Sequence, residues 1–131
     1  GLDISEKYIE LSKNKYPGNQ YYCLDILEEN GILPQFDYII MNGVFTEKRE
    51  LSFDDMFEYF REVLVCVFSK AKYGIAFNVM SKQVDWERED LFHLPLSLLS
   101  EFMVNDLARH FAVHHDYGLY EYSVYVFKKP V

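Results

Sequence analysis

Three polar side chains in this sequence stand where an apolar run stops: Asp3 after Leu2, Asp25 after Tyr21-Tyr22-Cys23-Leu24, and Asn42 after Tyr38-Ile39-Ile40-Met41. The two carboxylates can only accept hydrogen bonds, whereas the amide can both donate and accept. At strand ends such groups would hold a ligand, because open α/β sheets bind ligands in the crevice at the carboxyl ends of their strands. Gly43, directly after Asn42, lets the backbone turn sharply there.

Other residues suggest chemistry less strongly. His114 and His115 would point to opposite faces of a strand, and no carboxylate stands at a ligand-like spacing, so no metal site is expected. His93, beside the irregular segment 81–94, could serve as a base for a substrate hydroxyl; an ordinary structural histidine is the simpler expectation for it and for His110. Trp86 sits among Asp85, Glu87, Glu89 and Asp90. It could face a substrate, but a packed loop anchor is the more economical reading. Tyr125 and Lys129 share the spacing of a dehydrogenase Tyr-Lys pair, yet they fall on a predicted strand, where four positions do not stack two groups as a helix would. No catalytic residue is assigned.

Composition limits the classes. The 131 residues suit a single domain, and 50% hydrophobic with 18% aromatic residues implies a well-filled core. A net charge of -8 would repel a phosphate backbone, which argues against nucleic acid as a partner. Cys23 and Cys66 form neither a CxxC pair nor a disulfide framework, so a reducing, cytoplasmic setting is expected. No apolar run approaches the roughly 18 residues of a membrane span. The opening Gly-Leu-Asp-Ile-Ser, without an initiator Met, reads as the continuation of something longer.

The elements that must position these residues follow from pattern. Leu2-Asp3-Ile4 reads as the end of a strand, and Ser5 as the N-cap of a helix running to about Lys15 with Tyr8 and Leu11 inward. Residues 21–26 form a second short strand, followed by one helical turn within 27–31. The run Phe36-Asp37-Tyr38-Ile39-Ile40-Met41 suits a strand buried on both faces. Ser52 and Asp55 cap a helix reaching about Lys72, whose inner stripe is Phe53, Met56, Phe57, Phe60, Leu64, Val67 and Phe68. A third buried strand spans 73–80, a loop or lid 81–94, and a helix from about Pro95 carries Leu99, Phe102, Met103, Leu107 and Phe111 inward. Strands at 113–117 and 120–128, joined tightly at Gly118-Leu119, close the chain as an antiparallel hairpin. Alternating units of this kind require a mostly parallel sheet covered by helices.

In order and spacing these pieces resemble the class I S-adenosylmethionine-dependent methyltransferases. The matching stretches are Gly1-Leu2-Asp3-Ile4-Ser5 before a helix, Asp25-Ile26, Phe36-Asp37-Tyr38-Ile39-Ile40-Met41-Asn42-Gly43-Val44-Phe45, and the closing Tyr120-Glu121-Tyr122-Ser123-Val124-Tyr125-Val126-Phe127. The resemblance implies a three-layer Rossmann-like α/β sheet, mostly parallel with an antiparallel C-terminal hairpin, and S-adenosyl-L-methionine as cofactor. It further implies that Asp3, with Ile4, holds the ribose, that Asp25 accepts from the adenine amino group with Ile26 on the ring face, and that Asn42, Gly43 and Val44 border the methionine end. The family's glycine-rich turn after the first strand has no counterpart here. Residues 1–131 are therefore expected to be a single partial methyltransferase domain lacking the first strand and most of the second.

Asn42-Gly43-Val44-Phe45 lacks the Asn-Pro-Pro-aromatic turn of enzymes that methylate planar amino groups. A small-molecule acceptor, methylated at oxygen or carbon, is the expected substrate, and an uncovered strand edge would invite a homodimer. Two alternatives stay open: a non-catalytic remnant acting as an interaction module, and an NAD-type oxidoreductase, since an acid after the second strand also suits that ribose.

Overall fold

The structure, a computed structural model, describes residues Gly1–Val131, and the chain falls into two units, Gly1–Pro34 and Gln35–Val131. No helix is long and apolar enough to cross a membrane.

In the first unit, strand β1 (Leu2–Asp3) leads through helix α1 (Glu6–Lys15) to strand β2 (Tyr22–Cys23). The two strands pair in parallel, Leu2 opposite Tyr22 and Asp3 opposite Cys23. Ser5 caps α1 as its side chain predicts, its hydroxyl accepting the Tyr8 N–H at 3.3 Å. At the far end the Tyr21 hydroxyl reaches the carbonyls of Ser12 (3.1 Å) and Tyr16 (2.8 Å), groups a helix end leaves unpaired. Tyr8 and Leu11 do not face inward; both are exposed, and Ile9 is the buried residue. Strands of two residues each offer too little surface to cover a wider stripe of a ten-residue helix. The strand expected over 21–26 shrinks to two residues because Asp25 leaves it to cap the short helix α2 (Ile26–Glu29), which runs into a 3₁₀ turn at Asn30–Ile32.

The second unit is built on a five-stranded sheet in the order β3-β4-β7-β6, with β5 added to β4. Strand β3 (Phe36–Met41) leads to helix α3 (Phe53–Lys70), and strand β4 (Ala71–Ser81) then begins at the residue after that helix, with no loop between. The expected Ser52 cap forms, its hydroxyl accepting the Asp55 N–H at 3.1 Å. Strand β5 (His93–Leu94), helix α4 (Leu96–Asp106), and strands β6 (His110–His114) and β7 (Glu121–Phe127) follow. β3 and β5 run parallel to β4, whereas β7 runs antiparallel to both β4 and β6. A mostly parallel sheet closed by an antiparallel hairpin is thus present, as the alternating pattern requires.

Phe60 of α3 organises the core. It lies 5.7 Å from Phe77 on β4, 5.9 Å from Phe102 on α4 and 4.8 Å from Phe45, ring to ring. Both helices therefore cover the face that carries Phe77. Residues alternate along a strand, so Tyr38 and Ile40 of β3 turn the other way, and Ile40 is 77% exposed. The expectation that this strand is buried on both faces is corrected: β3 ends its sheet, and the helices of its unit lie on one side. Two boundaries also differ. Phe111 lies on β6, because α4 stops at Asp106, and the hairpin connection is the longer stretch 115–120. Gly74 marks the closest approach in the sheet, where a Cβ would stand 2.6 Å from the Val126 carbonyl oxygen of β7.

Candidate functional site

Asp3 and Asp25 occupy the carboxyl ends of adjacent parallel strands, Asp3 as the last residue of β1 and Asp25 two residues past β2. Each uses one carboxylate oxygen locally. Asp3 Oδ1 accepts the Ser5 N–H at 2.8 Å and Asp25 Oδ1 accepts the Leu27 N–H at 2.9 Å, which makes Asp25 the N-cap of α2. The second oxygen of each has no partner in the protein and is free to accept from a ligand. Ile4 is exposed beside Asp3, and Ile26 is half-buried as the first residue of α2. The exposed Cys23 thiol lies 3.6 Å from the Ile4 carbonyl oxygen.

Within the second unit, Asn42, Gly43 and Val44 form the turn that leaves β3, and all three are exposed. Gly43 has φ 75°, a left-handed conformation that glycine adopts without strain, and a Cβ there would meet nothing within 4 Å. Phe45, fully buried against Phe60 and Phe77, anchors the turn from behind. The Gly43 N–H donates to the Asn78 side-chain oxygen at 2.8 Å, and the Asn78 amide nitrogen in turn donates to the Glu121 carboxylate. Asn78 and Glu121 escape the sequence reading. Their signal is a lone amide in the apolar run 75–80 and an acid opening the last strand, residues that pair only once β4 and β7 lie side by side.

The segment after β4 is pinned rather than loose. Lys48 and Arg49 N–H groups both donate to the Asp90 carbonyl, and Phe92 N–H donates to the Thr46 carbonyl at 2.9 Å. Lys82 pairs with Glu87 at 2.6 Å, and Arg88 grips Asp90 through two contacts of 3.1 and 2.8 Å. The Lys82 hydrogen bond holds the Glu87 carboxyl below its usual range. His93 is buried with both ring nitrogens engaged: Nε2 accepts the Arg88 N–H at 3.2 Å, which leaves Nδ1 to donate to the Ser81 carbonyl at 2.8 Å. That makes it a structural residue with no nitrogen left for a substrate. Trp86 departs from expectation in the opposite sense. It is 75% exposed and anchors nothing.

Of the remaining histidines, two meet aromatic rings. His114 meets Tyr125 edge-on at 5.5 Å and His115 meets Tyr122 at 5.9 Å, and no group of three His, Cys, Asp or Glu side chains is arranged to hold a metal.

Comparison with known proteins agrees with this architecture. No protein-family model matches the chain. A curated protein of Mycobacterium tuberculosis described as "Putative methyltransferase Rv1506c" is 22% identical over 133 residues, covering 98% of this chain and 77% of that protein. Among solved structures, magnesium protoporphyrin IX methyltransferase (ChlM) from Synechocystis PCC 6803 with bound SAM superimposes with a TM-score of 0.67 at 11% identity, over 98% of this chain and 58% of that one. A SAM-dependent methyltransferase from Bacteroides fragilis in complex with S-adenosyl-L-homocysteine gives 0.63 at 14% identity, over 99% and 62%. The chain thus spans about three fifths of the length of these solved structures. Topology, strand order and likeness together establish that this chain has the fold of the S-adenosylmethionine-dependent methyltransferases, with part of that domain present.

Proposed function

We propose that residues 1–131 are part of one methyltransferase domain that binds S-adenosyl-L-methionine and methylates a small molecule at oxygen or carbon. The observation that carries this reading is the pair of carboxylates ending adjacent parallel strands, Asp3 and Asp25, each with one oxygen spent on a local N–H and one left over. The residues present fit the cofactor's adenosine end. Asp3, with Ile4 beside it, would accept from the ribose hydroxyls; Asp25 would accept from the adenine amino group, and Ile26 would pack on its ring. Asn42, Gly43 and Val44 would border the methionine end, where the open side of Gly43 leaves room for a close backbone approach.

When bound, the cofactor supplies a sulfonium methyl that is already electrophilic. What is left to the protein is to align the acceptor and exclude water. An acidic surface and the turn Asn42-Gly43-Val44-Phe45 favour a small-molecule acceptor over nucleic acid. The remnant and oxidoreductase alternatives gain nothing from the neighbours found. Two free cysteines suit a reducing, cytoplasmic setting. The unpaired edge of β3 is where a second copy would add, and sedimentation returning only monomer at the highest reachable concentration removes that partner.

Calorimetric titration with S-adenosylhomocysteine tests the central assignment, on this chain and on a form extended upstream of Gly1. Binding by either supports the cofactor reading, and binding by the extended form alone shows that the upstream segment completes the site. If neither binds, the assignment is dropped.

A further inference from the structure

A cavity of about 220 Å³ lies at the carboxyl end of β4, between Met80, Val84, Trp86, Leu91 and Tyr120. Pockets for drug-sized ligands start near 300 Å³, so this one suits a single ring system. Its rim is aromatic and unusually bare. Trp86 and Tyr120 are both largely exposed, and the Trp86 ring stacks on no other ring of the chain. Aromatic faces of this kind are available to a planar ligand and to a cation.

The charges around the cavity are nearly all committed. Arg88 is held by Asp90, Lys82 by Glu87, and both nitrogens of His93 by backbone groups. Asp85 lines the same cavity and has no hydrogen bond or ion pair. It is the one charged group of the lining left to meet a ligand. Position matters too: Met80 follows Asn78 by two residues on the same face of β4, about 7 Å along the strand. Asn78 is the residue that holds Gly43, so the turn assigned to the methionine end and the cavity rest on neighbouring residues of one strand face.

We propose that this cavity receives the methyl acceptor, and that the acceptor is a small aromatic molecule, one ring in size, carrying an ammonium group. Its ring lies against Trp86 and Tyr120, and its ammonium meets the Asp85 carboxylate. The word acceptor rests on the methyl-transfer reading above; the ligand's shape and charge rest on the cavity alone.

Trp86 is the only tryptophan in the chain, so its emission reports on the cavity without a label and without cofactor. Three phenols of similar ring and different charge are titrated: tyramine, p-cresol and 4-hydroxyphenylacetate. Tyramine is expected to shift Trp86 emission saturably and to bind about fivefold more tightly than p-cresol, the scale of one partly exposed ion pair, with 4-hydroxyphenylacetate weakest. Asp85→Asn should bring tyramine down to the level of p-cresol and leave p-cresol unchanged. Equal binding of all three, tighter binding of the anion, or no saturable response to any of them overturns the proposal. Calorimetry with S-adenosylhomocysteine is run in parallel. Tyramine binding without cofactor-product binding keeps the cavity's ligand class and removes the acceptor role, whereas the reverse removes the cavity and keeps methyl transfer.

Discussion

Gly43 gives its backbone N–H to the side-chain oxygen of Asn78 at 2.8 Å, and so the turn leaving β3 is fastened to the carboxyl half of β4. The same amide donates to Glu121, so one side chain joins three strands. Asn78→Ala should lower the unfolding free energy by about 1 to 2 kcal/mol, the loss of two hydrogen bonds that are only partly buried. Asn78→Asp should be worse at neutral pH, because it sets a second carboxylate against Glu121, and should recover toward the alanine value as the solution is made acidic. Urea unfolding of both variants at two pH values decides this; a gap that does not narrow in acid would show that charge repulsion is not the cause.

Two glycines should respond to alanine for different reasons. At Gly74 the new methyl would stand 2.6 Å from the Val126 carbonyl oxygen, and backbone cannot swing aside as a side chain can. A loss of about 3 kcal/mol is expected, the upper end of what overpacking costs. At Gly43 the methyl meets nothing, but φ is 75°, so only the conformational penalty of about 1 to 2 kcal/mol applies. Equal unfolding midpoints for the two variants would contradict the geometry.

His93 is predicted to matter for folding rather than for proton transfer. His93→Phe preserves a ring but strands the Ser81 carbonyl and the Arg88 N–H, at a cost of about 2 kcal/mol. Thermal unfolding measures the loss. A fully stable variant would free the histidine for another role.

Burial raises the Tyr122 hydroxyl above its ordinary value of 10.0, and the group donates to the Leu94 carbonyl at 2.9 Å. Below pH 10 both folded and unfolded chains keep this proton, and the contribution is complete. Above it the unfolded chain gives up the proton first, so stability should fall by about 1.4 kcal/mol per pH unit until the folded group ionises as well. Tyr122→Phe lacks that alkaline arm and is less stable at neutral pH by about 1 to 2 kcal/mol. The difference between the two unfolding curves cancels the other tyrosines, and curves that stay parallel through the alkaline range would refute the assignment.

Asp3 has two jobs to separate. Its Oδ1 holds the Ser5 N–H at the start of α1, a task an amide oxygen can also do. Asp3→Asn should therefore keep the fold while weakening S-adenosylhomocysteine by about 1 to 3 kcal/mol, roughly five- to 150-fold, in whichever form of the chain binds it. Unchanged calorimetric affinity would clear Asp3 of the ribose role.

What was legible in the sequence is what neighbours along the chain decide. Ser5 and Ser52 announce their helices because a cap and the N–H groups it serves lie three residues apart. The α3 stripe is visible for the same reason. β5 is hidden because two residues carry no period, and they become a strand only by pairing with Met80 and Ser81. The bareness of Tyr38 and Ile40 is equally invisible: an apolar strand reads the same whether or not something covers it. Asp3 and Asn42 could be placed at strand ends from the apolar runs they close, and Asp25 just past one. That Asp25 also caps α2, and that Asn78 stands behind Gly43, depend on geometry that sequence order does not contain.

The abrupt passage from α3 into β4 sets a ruler for the whole second unit. With Lys70 helical and Ala71 already extended, there is no slack to take up an inserted residue. One extra amino acid at that joint would have to be taken up by unwinding the last helical turn, by enlarging the irregularity that already sets Ala71–Gly74 against Phe36–Tyr38, or by slipping β4 one notch. A slip of that kind would trade Phe77 for Asn78, sending the amide into the oily interior and the phenyl ring out to water. Homologous chains should accordingly tolerate length changes almost anywhere before they tolerate one here.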